Sequence, residues 1–312
     1  MTTTTAHPLL VDGTFTISAH SLAIADRCAR AFHYYRIDAR KAVRAAGGLL
    51  AGTALHAAIA VLQAGGTVAA QEQAISNVLA AAPPLPPDDH RTPGYLRDAL
   101  AAFRAEFVTL FTGWTIEEQE TQGTVELGTV QLNGSPITVL WEFRRDVVGI
   151  APEGLRFVVD WKTASRDEDA HYLAMKNSGQ FMGYLWSWNT QHPDRPAHGV
   201  LPVRIILRRP SRTGVSFSFP HDPPILFQPE RIAEWHRHTL AKVRTLLSRD
   251  PANLDDWPLA CAELGLCRTQ FGVCEYLAVC SLKPGEDRAR MLASDAYEPA
   301  DADKPALSPA IS

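Results

Sequence analysis

The sequence lacks any apolar run approaching the ~18 residues of a membrane-spanning helix. Its opening Met1-Thr2-Thr3-Thr4-Thr5 has neither the basic nor the apolar stretch of a secretory signal. These absences predict a cytoplasmic protein without a membrane partner, whose cysteines stay reduced and available as ligands. A net basic charge is also missing: 30 Lys and Arg against 34 Asp and Glu leave −4, so no global field draws the chain to nucleic acid. Local basic clusters remain, with Arg27, Arg30, Arg36, Arg40, Lys41 and Arg44 in one and Arg204, Arg208, Arg209 and Arg212 in the other. Each reads equally well as a phosphate track or a solvated face. There is no internal repeat. A composition of 46% hydrophobic and 21% charged residues over 312 positions is that of a soluble globular chain, one large domain or two small ones.

Chemistry concentrates in Phe157-Val158-Val159-Asp160-Trp161-Lys162-Thr163. Three apolar residues predict a buried strand, and its two-residue period sends Asp160 and Lys162 to one side and Trp161 to the other. A carboxylate and an ammonium aimed at one spot are costly to bury unless a ligand or metal shares it. Asp146 stands fourteen residues earlier, at the end of the β-like Thr138–Phe143, and Val148–Gly154 has the Gly and Pro of a hairpin loop. Such a hairpin sets Asp146 beside Asp160. Two acids and a lysine at converging strand ends can hold a hard divalent cation and attack a phosphodiester. The plainer reading of D-x-K alone is a surface ion pair.

The remaining pattern predicts a mixed sheet flanked by helices, an α/β layer architecture. Ser18 or Ser21 caps a helix running to Phe32, and further helices fall at about 52–63, 70–82 and 95–111. Strand-like alternation fills 115–162 with a turn at Asn133-Gly134. A helix at 172–189, a strand at 203–208, an irregular stretch at 211–228 and a helix at 229–249 follow. Residues 1–13 read as a loose lead-in. Residues 284–312, rich in Asp, Ala and Pro, predict a disordered tail behind a single domain over 1–283.

Four of the five cysteines crowd one end: Cys261, Cys267, Cys274 and Cys280, separated by five, six and five residues, with Cys28 far away. A disulfide scaffold does not suit an intracellular chain of this size. Thiolate ligation does, and the wide spacing favours an iron–sulfur cluster over the paired knuckles of zinc. His56, on an Ala-rich helix, is either a satisfied core residue or a nitrogen ligand that tilts an Asp/Asp/His site from Mg²⁺ toward Mn²⁺. Gln180 and Tyr184 lie four apart and share a helix face. They serve either to hydrogen-bond a phosphate or the lysine, or merely to pack at the surface.

Taken in order, Cys28-Ala29-Arg30-Ala31-Phe32-His33-Tyr34-Tyr35, Gly52-x3-His56, Asp146, Asp160-x-Lys162, Gln180-x3-Tyr184 and the cysteine cluster resemble the RecB-like PD-(D/E)XK nucleases. The likeness is to their iron–sulfur branch, which includes the CRISPR-associated RecB-like exonucleases and the AddB nuclease domain, and it covers about 15–282. It implies a restriction-endonuclease-like fold with a C-terminal iron–sulfur clasp closing onto the N-terminal helix. By the same resemblance His56, Asp146, Asp160 and the Trp161 carbonyl hold Mn²⁺ or Mg²⁺, and Lys162 is the catalytic lysine. Gln180 and Tyr184 form the Q-x3-Y motif, and Cys28, Cys267, Cys274 and Cys280 hold a 4Fe-4S cluster, leaving Cys261 spare. Phe271–Cys280 resembles the closing cysteine segment. Three departures stand out. Six residues separate Cys267 from Cys274 where the family's pattern is tighter. Arg145 and its neighbours replace a Gly before the first acid, which keeps Glu142 as an alternative to Asp146. Ala29 stands where a Pro is usual.

The implied activity is a DNA exonuclease on single strands or DNA ends, in recombination, repair or phage- or CRISPR-type processing, with a helicase or CRISPR-type protein as possible partner. Two other classes compete. One is a catalytically silent nucleic-acid-binding scaffold, against which the intact acid–acid–lysine set argues. The other is an iron–sulfur electron carrier, which needs neither D-x-K nor Q-x3-Y.

Overall fold

The computed structural model describes residues 7–43, 47–167, 169–210, 217–260, 267–269, 272–283 and 285–300. Among these the chain falls into two compact units: residues within 1–44, 124–142 and 233–308, and residues within 45–123 and 143–232. No described helix is long and apolar enough to cross a membrane.

The second unit carries helices α3 (Gly47–Gln63), α4 (Val68–Ala80) and α5 (Pro93–Phe111). Thr67 and Thr92 cap α4 and α5, each hydroxyl accepting a backbone N–H three residues on. Strand β4 (Ser135–Ile150) runs antiparallel to β5 (Arg156–Ala164), β5 parallel to β6 (Gly199–Leu207), and β6 antiparallel to the short β7 (Phe217–Ser218), a mixed sheet. β3 (Thr115–Leu132) pairs with β4 across Asn133-Gly134, both at positive φ as the sequence turn predicts. β6 is buried at every position, so it reads as an apolar run interrupted only by Arg204 rather than as an alternation. The core joins Leu55 and Ile59 of α3, Leu100 and Phe103 of α5, and Val147, Val159, Trp161 and Ile205 of the sheet. The predicted 172–189 helix is two, α6 (Asp169–Met175) and α7 (Gly179–Gln191). Ser178 breaks them by accepting the Phe181 N–H and capping α7.

One glycine sets how closely α3 approaches β5. A Cβ on Gly52 would lie 2.7 Å from the Thr163 hydroxyl, and His56 sits one turn further along α3. Gly52→Ala is therefore expected to lose about 1 kcal/mol net, overpacking outweighing the helix-propensity gain. Combining it with Thr163→Ala should restore most of that loss. Denaturant melts of the two single variants and the double check this, and strict additivity would refute the contact.

The first unit holds β1 (Thr14–Ser18), α1 (Ala19–Arg27), α2 (Ala29–Arg36) and β2 (Arg40–Ala42). The single helix expected through Phe32 is broken at Cys28, whose extended backbone and Sγ, accepting the Ala31 N–H at 3.4 Å, cap α2. Ser18 caps α1. Later come α8 (Pro229–Leu247), the hairpin β8 (Arg268–Thr269) and β9 (Gly272–Val273), and α9 (Leu277–Cys280). Where the sequence predicts a disordered tail, Glu286–Leu292 forms α10 and Tyr297–Pro299 forms β10, antiparallel to β2. Phe32 stacks on Trp257 at 6.1 Å, and the Arg30 Nε donates to the Trp257 carbonyl. The Tyr276 hydroxyl donates to the Arg40 carbonyl. Early and late segments of this unit are thus held by direct protein contacts.

Candidate active site and cysteine cavity

The β4–β5 register pairs Val147 with Val159, and the next step along it sets Asp146 against Asp160. Both are buried. The Trp161 N–H donates to Asp146 Oδ2 at 2.8 Å, stapling the two strand ends. The Trp161 ring turns away from the acids to meet Phe103, Phe107 and Phe111 at 5.6, 6.2 and 5.7 Å. Only its backbone is left to the site. Glu142, the alternative first acid, instead pairs in register with Ser18.

Lys162 Nζ stands 2.8 Å from Asp160 Oδ2 and donates to Gln180 Oε1 at 3.0 Å. Gln180 in turn donates from Nε2 to the Tyr184 hydroxyl at 2.5 Å. Asp160 Oδ2 is buried, and the Lys162 ammonium is the cation that offsets its charge. From α3, His56 Nδ1 lies 3.6 Å from Asp146 Oδ1. The structure therefore brings His56, Asp146, Asp160, Lys162, Gln180 and Tyr184 together.

Their electrostatics diverge. Burial, joined by the neighbouring Asp146 and opposed by Lys162, pushes the Asp160 carboxyl up to about 6. Burial works against the Asp146 charge too, but His56 and the Trp161 N–H outweigh it, and that carboxyl is held below its usual range. Burial disfavours a charged His56, yet Asp146 more than compensates and the imidazole is pushed up. Burial and the two aspartates push the Tyr184 phenol well up, so it stays protonated.

Two carboxylates and an imidazole fit a hard or borderline divalent cation, and the buried Asp160 carboxyl, whose charge burial disfavours, is where added positive charge relieves most. Among the described residues, however, no group of three or more His, Cys, Asp or Glu side chains is placed to hold a metal ion as it stands. The acids are instead engaged by His56, Lys162 and the Trp161 N–H.

Sequence reasoning passed over Glu120 on β3 and Arg144 on β4, which pair at 2.7 Å. Glu120 feels both Asp146 and His56, and Arg144 feels Asp146 and Tyr184. Glu117-Glu118-Gln119-Glu120 and Arg144-Arg145 show only that both strands are rich in charge, and nothing local marks the pair. The second basic cluster is largely spoken for. Arg204 pairs with Asp222 and Asp167, Arg208 reaches Asp167 at 3.6 Å, and Arg209 donates to the Asp88 carbonyl. In the first cluster Arg36 donates to the Thr16 carbonyl and Lys41 pairs with Glu298. Arg44 and Arg212 lie outside the described residues.

In the first unit Cys28, Cys267, Cys274 and Cys280, all free thiols, line one cavity of about 190 Å³ with Leu259, Tyr276 and Leu277. The Cys274 N–H donates to the Cys267 carbonyl at 2.7 Å, closing the β8–β9 hairpin with both thiols at its base. Burial, reinforced by Cys28 and Cys274, pushes the Cys280 thiol up to about 11. Burial raises Cys274 as well. Thiols so raised become thiolates only when a bound cation supplies the compensating charge. Cys261 lies outside the described residues.

A D-x-K strand end facing a second aspartate, backed by Q-x3-Y, defines the class of metal-dependent nucleases. The profile of the PD-(D/E)XK nuclease superfamily matches residues 16–281, and the chain belongs to that superfamily. Among solved structures it is similar to one titled "Crystal structure of SSO0001", at 16% identity over 73% of this chain and 75% of that one, with a TM-score of 0.30. At that score the likeness leaves function to the chain's own residues. No curated protein matches the sequence.

Proposed function

We propose that the chain is a DNA nuclease of the RecB-like iron–sulfur branch, an exonuclease acting on single-stranded DNA or DNA ends. The observation that carries this reading is the buried Asp146 and Asp160 pair with Lys162 held 2.8 Å from Asp160. His56, Asp146, Asp160 and the Trp161 carbonyl would hold Mn²⁺ or Mg²⁺, the imidazole favouring Mn²⁺. Such a cation supplies Lewis acidity and lowers the pKa of a nearby water. The half-buried Lys162 ammonium orients the attacking water and offsets negative charge developing on the scissile phosphate. Gln180 fixes Lys162 through its side-chain oxygen, and the protonated Tyr184 fixes Gln180. Cys28, Cys267, Cys274 and Cys280 hold a 4Fe-4S cluster, with zinc the alternative, because four thiols share one cavity. A helicase or CRISPR-type assembly is the partner class.

Purified protein with Mn²⁺ should shorten a labelled single-stranded oligonucleotide from an end, and EDTA should stop it. Lys162→Ala should slow cleavage by about 10²–10³-fold with little change in Tm, and His56→Ala should depress Mn²⁺-supported activity most. DNA binding without cleavage in any divalent metal would replace this reading with a silent binding subunit.

A further inference from the structure

Glu120 lies inside β3 yet has φ +46°, a left-handed backbone that a non-glycine residue adopts only at a cost. Two residues earlier, Glu118 pairs with Arg145 at 3.2 Å, while Glu120 pairs with Arg144 at 2.7 Å. A regular strand sends residues two apart to the same face and adjacent residues to opposite faces. Here residues two apart on β3 serve adjacent residues on β4, so the alternation breaks at the left-handed position. Such irregularities in strands gather beside active sites, where they re-aim a side chain.

The two arginines then differ sharply. Arg145 is sealed in, its guanidinium over the Phe143 ring at 3.9 Å and bonded to Ser187 and Gln191. Arg144 has a side chain 41% exposed and Glu120 as its ionic partner. It stands two residues from Asp146 along β4 and within electrostatic reach of Tyr184. The other oxygen of Glu120, Oε1, is buried and has no hydrogen bond. A residue on strained backbone therefore holds one planar, bidentate-capable cation, with donors to spare, two residues from Asp146 and within its electrostatic reach.

We propose that Arg144 binds a backbone phosphate of the DNA strand, next to the one being cleaved, with Glu120 keeping the guanidinium in place before substrate arrives. This rests on the nuclease reading above and adds a residue that it does not use. A guanidinium forks onto a phosphate through two parallel N–H···O bonds, which a lysine cannot reproduce.

The test is binding of a fluorescein-labelled single-stranded oligonucleotide across a salt series, with Ca²⁺ replacing the catalysing cation, alongside Mn²⁺ kinetics. Losing one phosphate contact should flatten the slope of log K against log [salt] by about 0.7. Arg144→Gln should show that flattening, binding about tenfold weaker at low salt, with KM rising more than kcat falls. Arg144→Lys should keep the slope because the charge remains. Glu120→Gln should keep it too, since Arg144 is still present. An unchanged slope in Arg144→Gln, with wild-type protein binding normally, overturns the proposal alone, as does an equal loss in Arg144→Gln and Glu120→Gln, which marks a purely structural pair. Wild-type protein that neither binds nor cleaves overturns this proposal and the nuclease reading together.

Discussion

Asp160→Asn is expected to abolish cleavage, by about 10³-fold or more, and at the same time to raise the Tm of the metal-free protein at pH 7.5. The Asp160 carboxyl is pushed up to about 6 from 3.8, chiefly by burial, so its ionised form is held less well in the folded chain than in the unfolded one. Its charge therefore costs stability above pH 6. That cost fades as pH falls through 6 toward 4, because the folded protein then keeps its proton. Asparagine removes the charge at every pH. The Tm difference between variant and wild type should be largest above pH 6 and vanish near pH 4. Mn²⁺, which offsets the same charge, should raise wild-type Tm more at pH 7.5 than at pH 5. An Asn variant that melts lower at pH 7.5, or still cuts DNA, would show that Asp160 is an ordinary paired carboxylate.

The acid pair was legible because everything that positions it is local. A strand period of two and a hairpin spanning fourteen residues suffice to bring Asp146 to Asp160 and to separate Lys162 from Trp161. Gln180 and Tyr184 needed only a helical step. Features that depend on distant partners were not legible. The Asp- and Pro-rich composition after Pro284 hid β10, which exists because β2, some 250 residues earlier, offers it an edge. Cys28 was marked as a cluster ligand by resemblance, but the helix break at its position was not, because its side chain continues an apolar helix face. Its capping bond to Ala31 appears only once α1 and α2 are seen to be separate. Glu120 and Arg144 escaped because periodicity assumes regular backbone, and their meeting depends on the position where the backbone is irregular. β1 alternates as Thr14-Phe15-Thr16-Ile17-Ser18 with Phe15 and Ile17 buried, a strand signal too short to stand out before a helix.

Replacing Cys28 should remove the proposed cluster outright. Protein purified without oxygen is expected to be brown and to contain about four irons per chain, while Cys28→Ala and Cys28→Ser should both be colourless with less than about one. The two substitutions differ in one respect. Serine keeps a side-chain acceptor for the Ala31 N–H, whereas alanine leaves α2 uncapped, so alanine should be less stable by about 1 kcal/mol. Both should stay folded, because β2–β10 pairing, the Tyr276–Arg40 hydrogen bond and the Phe32–Trp257 stack remain. Cys261→Ala should keep colour and iron. Native protein that is colourless and holds one zinc would refute the cluster and leave the nuclease standing. Bleaching by Cys261→Ala but not by Cys267→Ala would exchange their roles.

The cysteine cavity also has a place in time. Every residue of the acid site falls between His56 and Tyr184, so that site can assemble while much of the chain is still being made. The cavity cannot, because it joins Cys28 to Cys280. At about 5–20 residues per second, roughly 10–50 s separate the synthesis of those two thiols.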